Sequence, residues 1–459
     1  MSTVSKELQF FQEIVHYIET LEQSEPVSEI IPIDELWDKI DLTLTNEGVE
    51  DNSLYSTLKD IIKHTPKTAS NQFFNQLFGG RQPKAVLGEW ITALLNISMY
   101  TYKVGGPHIG IEKEILDKSI ELLGYPETAG GTMPAGGSMS NFQSLVMARD
   151  WKAPDVKMQG INAPLVAYVS KASHYSHKKN ASFCGIGIQN LRLVPVDEND
   201  CMDCNALASL IEEDLANGKV PFYVGATAGT TVKAAFDNVK DIRTVCDKFN
   251  IWMHIDGAYC GTVLFSSKYK HILEGAHLAD SFSYNAHKSF GTPLTCSVLL
   301  VKEKQHLYNS FNCDADYLYQ GNIDDFNPGK ISFQCGRKND ALKFWTLWKS
   351  IGSKGLEKMI DHQFEIAEEA RNFIKEDDDF ELISDNTSPA VCFKFKHIES
   401  KELCKVLNHN GLAMVGYGGP KDDEFVRLVT VNSNINYSDV TELFDKIKQL
   451  HQEAITVAP

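Results

Sequence analysis

A chain of 459 residues, 43% hydrophobic and 23% charged, is long enough for two or three packed units and a large core. Its net charge of −17 argues against nucleic acid or an anionic membrane as the main partner, although a local arginine can still receive an acidic substrate. No apolar run reaches transmembrane length, no basic-then-apolar leader opens the chain, and ten scattered cysteines make no disulfide framework; a reducing, cytoplasmic setting is expected.

Residues 1–65 read as a helical dimerisation segment. Phe11, Ile14, Val15, Ile18 and Leu21 recur at the spacing of one helix face. That face must be buried on the main body or on a second subunit. Residues 66–345 alternate strand and helix, with strands expected near 165–170, 222–226, 251–256, 281–285 and 296–301, which predicts a large doubly wound α/β sheet domain. A connecting helix is expected from Ala341 to Ile351. Residues 346–459 then read as a smaller C-terminal α+β domain, with strands at 390–395 and 426–431 and a last helix over about 438–453.

Pro134-Ala135-Gly136-Gly137-Ser138-Met139-Ser140-Asn141 leads into a helical run from Phe142. Glycines that allow a tight turn, then hydroxyls at a helix start, suit a phosphate held by free N–H groups and the positive end of the helix dipole. An ordinary serine N-cap is the competing reading. His174 follows the strand near 165–170 and reaches the same sheet edge. His174-Tyr175-Ser176-His177 lacks the glutamate spacing of a zinc helix, and Cys201-Met202-Asp203-Cys204 has no second pair, so no metal is expected.

Two strand candidates end on Thr227 and Asp256, and Asn285-Ala286-His287-Lys288 follows a third, Ser281 to Tyr284; the three positions are roughly 30 residues apart, about one strand–helix–strand unit. In a parallel sheet the carboxyl ends share one edge, where ligands bind. Asp256 lies between Ile255 and the small Gly257-Ala258, which would let a flat ring approach the backbone. A lysine placed there serves as a Schiff-base nucleophile, and a carboxylate beside it meets a pyridinium nitrogen. Together they match the needs of pyridoxal 5′-phosphate (PLP). A solvated strand-end residue is the bland reading of either one alone.

These residues resemble the group II PLP-dependent amino acid decarboxylases of fold type I, in the branch of glutamate, cysteine sulfinate and aspartate decarboxylases. The resemblance runs from about Phe73 to Leu450. It is carried by Phe73-Phe74-Asn75-Gln76-Leu77, the turn from Gly136 to Asn141, His174, and Ala228-Gly229-Thr230-Thr231. It continues through His254 to Tyr259, Asn285-Ala286-His287-Lys288, Gln334-Cys335-Gly336-Arg337 and Phe425-Val426-Arg427. The resemblance implies that Lys288 forms the imine, Asp256 pairs with the ring nitrogen, and His174 stacks on the ring opposite Ala258. It implies that Ser138, Met139 N–H, Ser140 and His287 hold the phosphate and that Thr227 lies near the ring substituents. Gln76 and Arg427 would contact substrate carboxylate. It implies a homodimer with the site at the interface, the N-terminal segment exchanged and the Cys335 segment contributing across it.

Phe78 stands where glutamate decarboxylases carry a small hydroxyl residue, and Ser98, in Asn96-Ile97-Ser98, where they carry Asn. A bulkier Phe78 should shorten the pocket and favour aspartate or cysteine sulfinate over glutamate; packing away from the site is its alternative. The loop from about Gln320 to Ser332 carries Phe326 near the place of the family's proton-donating Tyr. A phenyl cannot donate a proton. Another group must do so, or the reaction diverts to oxygen and yields an aldehyde. Ala286 replaces a commoner Pro, and Lys103 an acidic residue. The expected activity is α-decarboxylation of a small acidic amino acid. Its alternatives are an aldehyde synthase, a decarboxylase of a non-acidic amino acid, and a non-catalytic interaction protein, against which the intact Lys288, Asp256 and His174 argue.

Overall fold

Period-two alternation of β-branched and aromatic residues builds the central strands, and here it buries both faces. Val166 and Tyr168 belong to one apolar cluster, while Leu165, Ala167 and Val169 belong to another. Val298 and Leu300 divide from Leu299 and Val301 in the same way. The first cluster gathers Leu207, Ile211, Ile242 and Cys246 from helices on one side; the second gathers Leu145 to Ala148 from the helix Gly137–Lys152 on the other. A sheet covered on both faces reads as near-continuous apolar runs.

The computed structural model describes residues 6–24, 26–313, 315, 317–319 and 324–457. The chain divides into two units. The larger, residues 81–368 with 384–390, holds seven strands. These are β1 (Gly130–Thr132), β2 (Leu165–Ser170), β3 (Leu191–Val194), β4 (Val220–Thr227), β5 (Trp252–Gly257), β6 (Ser281–Asn285) and β7 (Ser297–Val301). Their order is β1-β7-β6-β5-β4-β2-β3. The pairs from β3 through β6 are parallel, and β7 and β1 join antiparallel. The expected strands are present to within a few residues. β1 and β3, three and four residues long, are too short to show a period in sequence.

In the smaller unit, β8 (Phe380–Leu382), β9 (Ala390–Phe395), β10 (Gly416–Gly418) and β11 (Phe425–Val429) run in the order β10-β11-β9-β8. Phe373 stacks on Phe444 of the last helix, Tyr437–Val457, with ring centroids 4.7 Å apart, and Phe380 and Phe393 meet the same ring. The N-terminal residues fall in this unit rather than apart from it. Their helices Lys6–Glu22 and Asp51–Lys63 join through Phe10 stacked on Tyr55, and neither has a buried residue. Phe11, Leu54 and Ile61 stay exposed. The expected connecting helix runs on as Ala341–Glu376, broken at Gly352 (φ 69°), where glycine bears the left-handed backbone without a Cβ clash.

Candidate active site

Because β4, β5 and β6 are parallel neighbours, their carboxyl ends share an edge. Thr227 pairs with Asp256 in register, and Asp256 with Ser283; Lys288 follows β6 by three residues. A cavity of about 230 Å³ opens at this edge. Lys288, Asp256, His174, Thr227, Ala258, His287 and Ser138 all line it, as the sequence led us to expect. Asn141, Tyr175, Tyr259 and Asn285 line it too, although the sequence assigned none of them a role. Asn141 closes the glycine-rich turn as a helix residue facing the sheet, a placement that the turn motif alone does not reveal.

Asp256 is buried and bonded on both oxygens. Ala258 N–H donates to Oδ1 at 3.0 Å, and Asn141 Nδ2–H to Oδ2 at 2.7 Å. His177 Nε2 comes within 3.7 Å of Oδ2, too far for a hydrogen bond, so its influence is electrostatic. Burial pushes this carboxyl up, but His177, the Asn141 amide and His254 outweigh it and hold Asp256 well below the usual range. An ionised carboxylate facing a cavity suits a ring N–H⁺.

His174 is held by its neighbour Ser176, whose backbone N–H donates to Nδ1 at 3.2 Å and whose hydroxyl lies 2.9 Å from the same nitrogen. A backbone N–H can only donate, so Nδ1 is the acceptor and Nε2 carries the hydrogen. Burial lowers the imidazole's pKa, which keeps it neutral and able to stack as a flat ring. His287 is likewise neutral: burial pushes it down to about 4. Cys296 N–H lies 2.9 Å from its Nδ1. At Lys288 the Nζ lies 5.9 Å from the Tyr259 ring centroid, and the Tyr259 hydroxyl donates to Pro389 O at 3.1 Å.

The helix Gly137–Lys152 starts at the cavity with no side-chain cap. Met139 and Ser140 N–H donate to Gly136 O at 3.0 and 3.1 Å, and neither residue lines the cavity. Gly137 and Ser138, at the very start of the helix, have no carbonyl one turn earlier to accept their N–H groups. Of the expected phosphate residues in this turn, Ser138 lines the cavity, together with Gly137. A Cβ on Gly137 would come within 2.8 Å of Ala258 Cβ, so only glycine allows this close approach.

Two buried polar atoms on the cavity wall, Thr227 Oγ1 and Asn285 Oδ1, have no hydrogen-bond partner among the described residues. Buried polar atoms rarely stay unpaired, so they call for a polar ligand. A helix start that receives anions, a carboxylate, a neutral flat imidazole and a lysine around one cavity fit PLP in charge and shape.

The expected substrate residues are placed differently. Ser98 Oγ receives Arg337 N–H at 3.1 Å and does not line the cavity. Gln76, Phe78 and Arg427 belong to the smaller unit. There Arg427 Nη2 donates to Asn75 O at 2.7 Å, beside Gln76, and Phe78 packs at 6.4 Å from Phe73. Phe326 meets Tyr102 edge-on at 5.9 Å. Residues 320–323 of its loop lie outside the described residues. Cys335 is exposed.

The pyridoxal-dependent decarboxylase conserved domain matches residues 34–396. The chain is 35% identical over 438 residues to acidic amino acid decarboxylase GADL1 of Xenopus tropicalis, covering 90% of this chain and 86% of that one. It is 35% identical over 457 residues to human cysteine sulfinic acid decarboxylase, covering 94% and 92%. The crystal structure of mouse CSAD superposes with a TM-score of 0.91 at 33% identity, over 97% of this chain and 98% of that one.

Proposed function

The chain belongs to the pyridoxal-dependent decarboxylase family and is a PLP-dependent amino acid decarboxylase of fold type I, and from that premise we propose aspartate or cysteine sulfinate, ahead of glutamate, as its substrate. The observation that carries the site is the convergence of Lys288, Asp256 and His174 on one cavity. When bound, PLP supplies an electrophilic carbon for the substrate amine and an electron sink for the bond that breaks. Lys288 is the amine that would hold it between turnovers. Asp256 would keep its ring nitrogen protonated, and Gly137, Ser138 and His287 would receive its phosphate. Neutral His174 would cover one ring face, and Ala258 would leave room at the other. Thr227 Oγ1 offers a hydroxyl to a ring substituent.

Arg427 is the cation proposed for a substrate carboxylate, with Gln76 beside it. Phe78 supports the shorter acids through its bulk, and the names of the two relatives agree with an acidic substrate. The exposed apolar faces of Lys6–Glu22 and Asp51–Lys63 support a homodimer, since such faces need a partner surface. Ten free cysteines suit a reducing cytoplasm, and no helix among the described residues is long and apolar enough to cross a membrane.

Phe326 favours a second reading. With no hydroxyl at that position, decarboxylation would be coupled to oxidation by dioxygen, one amino acid, one dioxygen and one water giving carbon dioxide, aldehyde, ammonia and hydrogen peroxide. The test is a panel of aspartate, cysteine sulfinate, glutamate, diaminobutyrate and aromatic amino acids, read for carbon dioxide, amine, aldehyde and peroxide. Amine from the short acids is expected. Turnover confined to a non-acidic substrate overturns the substrate proposal, and stoichiometric peroxide with aldehyde establishes the second reading.

A further inference from the structure

Behind Asp256 lies a row of buried polar groups that no step of the chemistry touches. Trp252, His254 and Asp256 alternate along β5 onto one face, and Ser281 of β6 pairs with His254 in register. Trp252 Nε1–H donates to Ser281 Oγ at 3.0 Å, and Ser281 Oγ lies 2.8 Å from His254 Nδ1. On the other side of that ring, Nε2 lies 3.1 Å from Asn141 Oδ1, and Asn141 Nδ2 lies 2.7 Å from Asp256 Oδ2. All five side chains are buried.

The direction of every bond follows from the carboxylate end. Asn141 turns Nδ2 to Asp256 and so presents Oδ1 to His254 Nε2. An amide oxygen can only accept, so the neutral imidazole carries its hydrogen on Nε2 and leaves Nδ1 an acceptor. Ser281 turns its single hydrogen to Nδ1 and accepts from Trp252, whose indole N–H can only donate. Rotating the amide by half a turn would set oxygen against carboxylate and N–H against N–H. Asn141 Nδ2 also reaches Ser176 Oγ at 3.1 Å, and Ser176 contacts His174 Nδ1. The same polarity thus governs both ring contacts. Burial pushes His254 down to about 3, consistent with a neutral ring that has one donor and one acceptor nitrogen.

We infer that Trp252, Ser281, His254 and Asn141 form a one-way hydrogen-bond chain that makes Asp256 a pure acceptor, so that these four act as positioning residues for the cofactor's ring nitrogen. The inference rests on Asp256 being the residue that meets that nitrogen. Chains of aligned hydrogen bonds polarise one another, and outer partners of a ligating group commonly change its affinity by about tenfold to a hundredfold.

The experiment measures PLP affinity of each variant and, by NMR of ring-nitrogen-labelled PLP in the holoenzyme, the protonation of the ring nitrogen. Ser281→Ala and His254→Leu should each weaken PLP binding by about tenfold and move the ring nitrogen toward its bare form. His254→Gln, which keeps a donor and an acceptor, should restore most of both signals. Ser283→Ala removes a buried hydroxyl with no partner among the described residues, and should leave both signals unchanged. Trp252→Phe, which loses only the terminal donor, serves if Ser281→Ala does not fold. Asp256→Ala sets the scale. If it loses both signals while Ser281→Ala and His254→Leu match wild type, the chain is overturned and the site stands. Equal losses in Ser281→Ala and Ser283→Ala overturn it as a packing effect. An Asp256→Ala variant that matches wild type overturns the placement of Asp256 and the chain with it.

Discussion

Asp256 and Arg427 are both charged residues on strands, and they are held in opposite ways. Asp256 lies on a central strand with a donor on each oxygen and further bonds behind its partner. Arg427 lies on β11 of the four-stranded sheet, half-buried, with Nη2 given to a backbone carbonyl. The first arrangement fixes a protonation state before any ligand arrives. The second is the guanidinium proposed to meet a substrate carboxylate, and on that proposal its contribution depends on which acid is present. Changes at the cofactor edge should therefore act on every substrate alike, whereas changes near Arg427 should sort substrates.

The largest effect is expected at the lysine. Lys288→Ala removes the only primary amine lining the cavity among the described residues, so turnover should fall by several orders of magnitude for every acid tested. The purified wild-type protein should be yellow, and the variant should lose that band. A colourless wild type that ignores added PLP would falsify the site.

Arg427→Ala comes next. A charge-assisted bond to a carboxylate in a partly dry pocket contributes about 1.5–3 kcal/mol, which corresponds to roughly tenfold to a hundredfold in kcat/KM. PLP should stay bound, and this separates Arg427 from the cofactor edge. Unchanged kinetics would place the arginine outside the substrate's reach.

Phe78→Ser is a smaller and more selective change. A phenyl in place of a hydroxymethyl occupies the room of about one methylene, a step typically equivalent to about 1–3 kcal/mol of discrimination. Wild type should prefer aspartate or cysteine sulfinate to glutamate by roughly tenfold, and the substitution should narrow that gap. In the structure Phe78 lies near Phe73, so packing and selectivity are both open to it. A wild-type preference for glutamate defeats the argument.

The same contrast explains what could be read from the sequence. Thr227, Asp256 and Lys288 were legible because each lies at or just past the end of an apolar strand, and a parallel sheet turns that position into shared space. His174 followed by the same logic. Asn141, Ser176 and Ser281 were not, because a polar residue facing the interior of a helix or strand looks in sequence like any other. Only the register that sets Ser281 beside His254 gives it a task. Which N–H groups of the turn face the cavity was not legible, because the exact first turn of a helix depends on backbone angles such as Gly136 at φ 91°. Residues that choose the substrate were hardest, since Gln76, Phe78 and Arg427 come from a different unit and no periodicity connects them to the cofactor edge.

The most modest effect concerns acid. Burial pushes His254 down to about 3 and His287 to about 4, against an ordinary histidine at 6.5. As pH falls from about 6.5, the unfolded chain takes up these two protons and the folded chain does not, so stability present above 6.5 is lost progressively down to about 4. Asp237 has the opposite sign. It accepts Thr227 N–H at 2.7 Å and Met202 N–H at 2.6 Å, yet burial pushes it up to about 6. Between about 6 and its ordinary 3.8 the folded state binds that proton first, which offsets one of the two histidines. The apoenzyme's thermal midpoint should accordingly fall on acidification with a net slope of about one proton from these groups. His254→Gln removes one proton-binding ring from the unfolded state and should reduce the slope by about one proton over that range. If the slope is unchanged in the variant, His254 does not carry the acid sensitivity, and the buried side of Asp256 is less closed to protons than its bonds indicate.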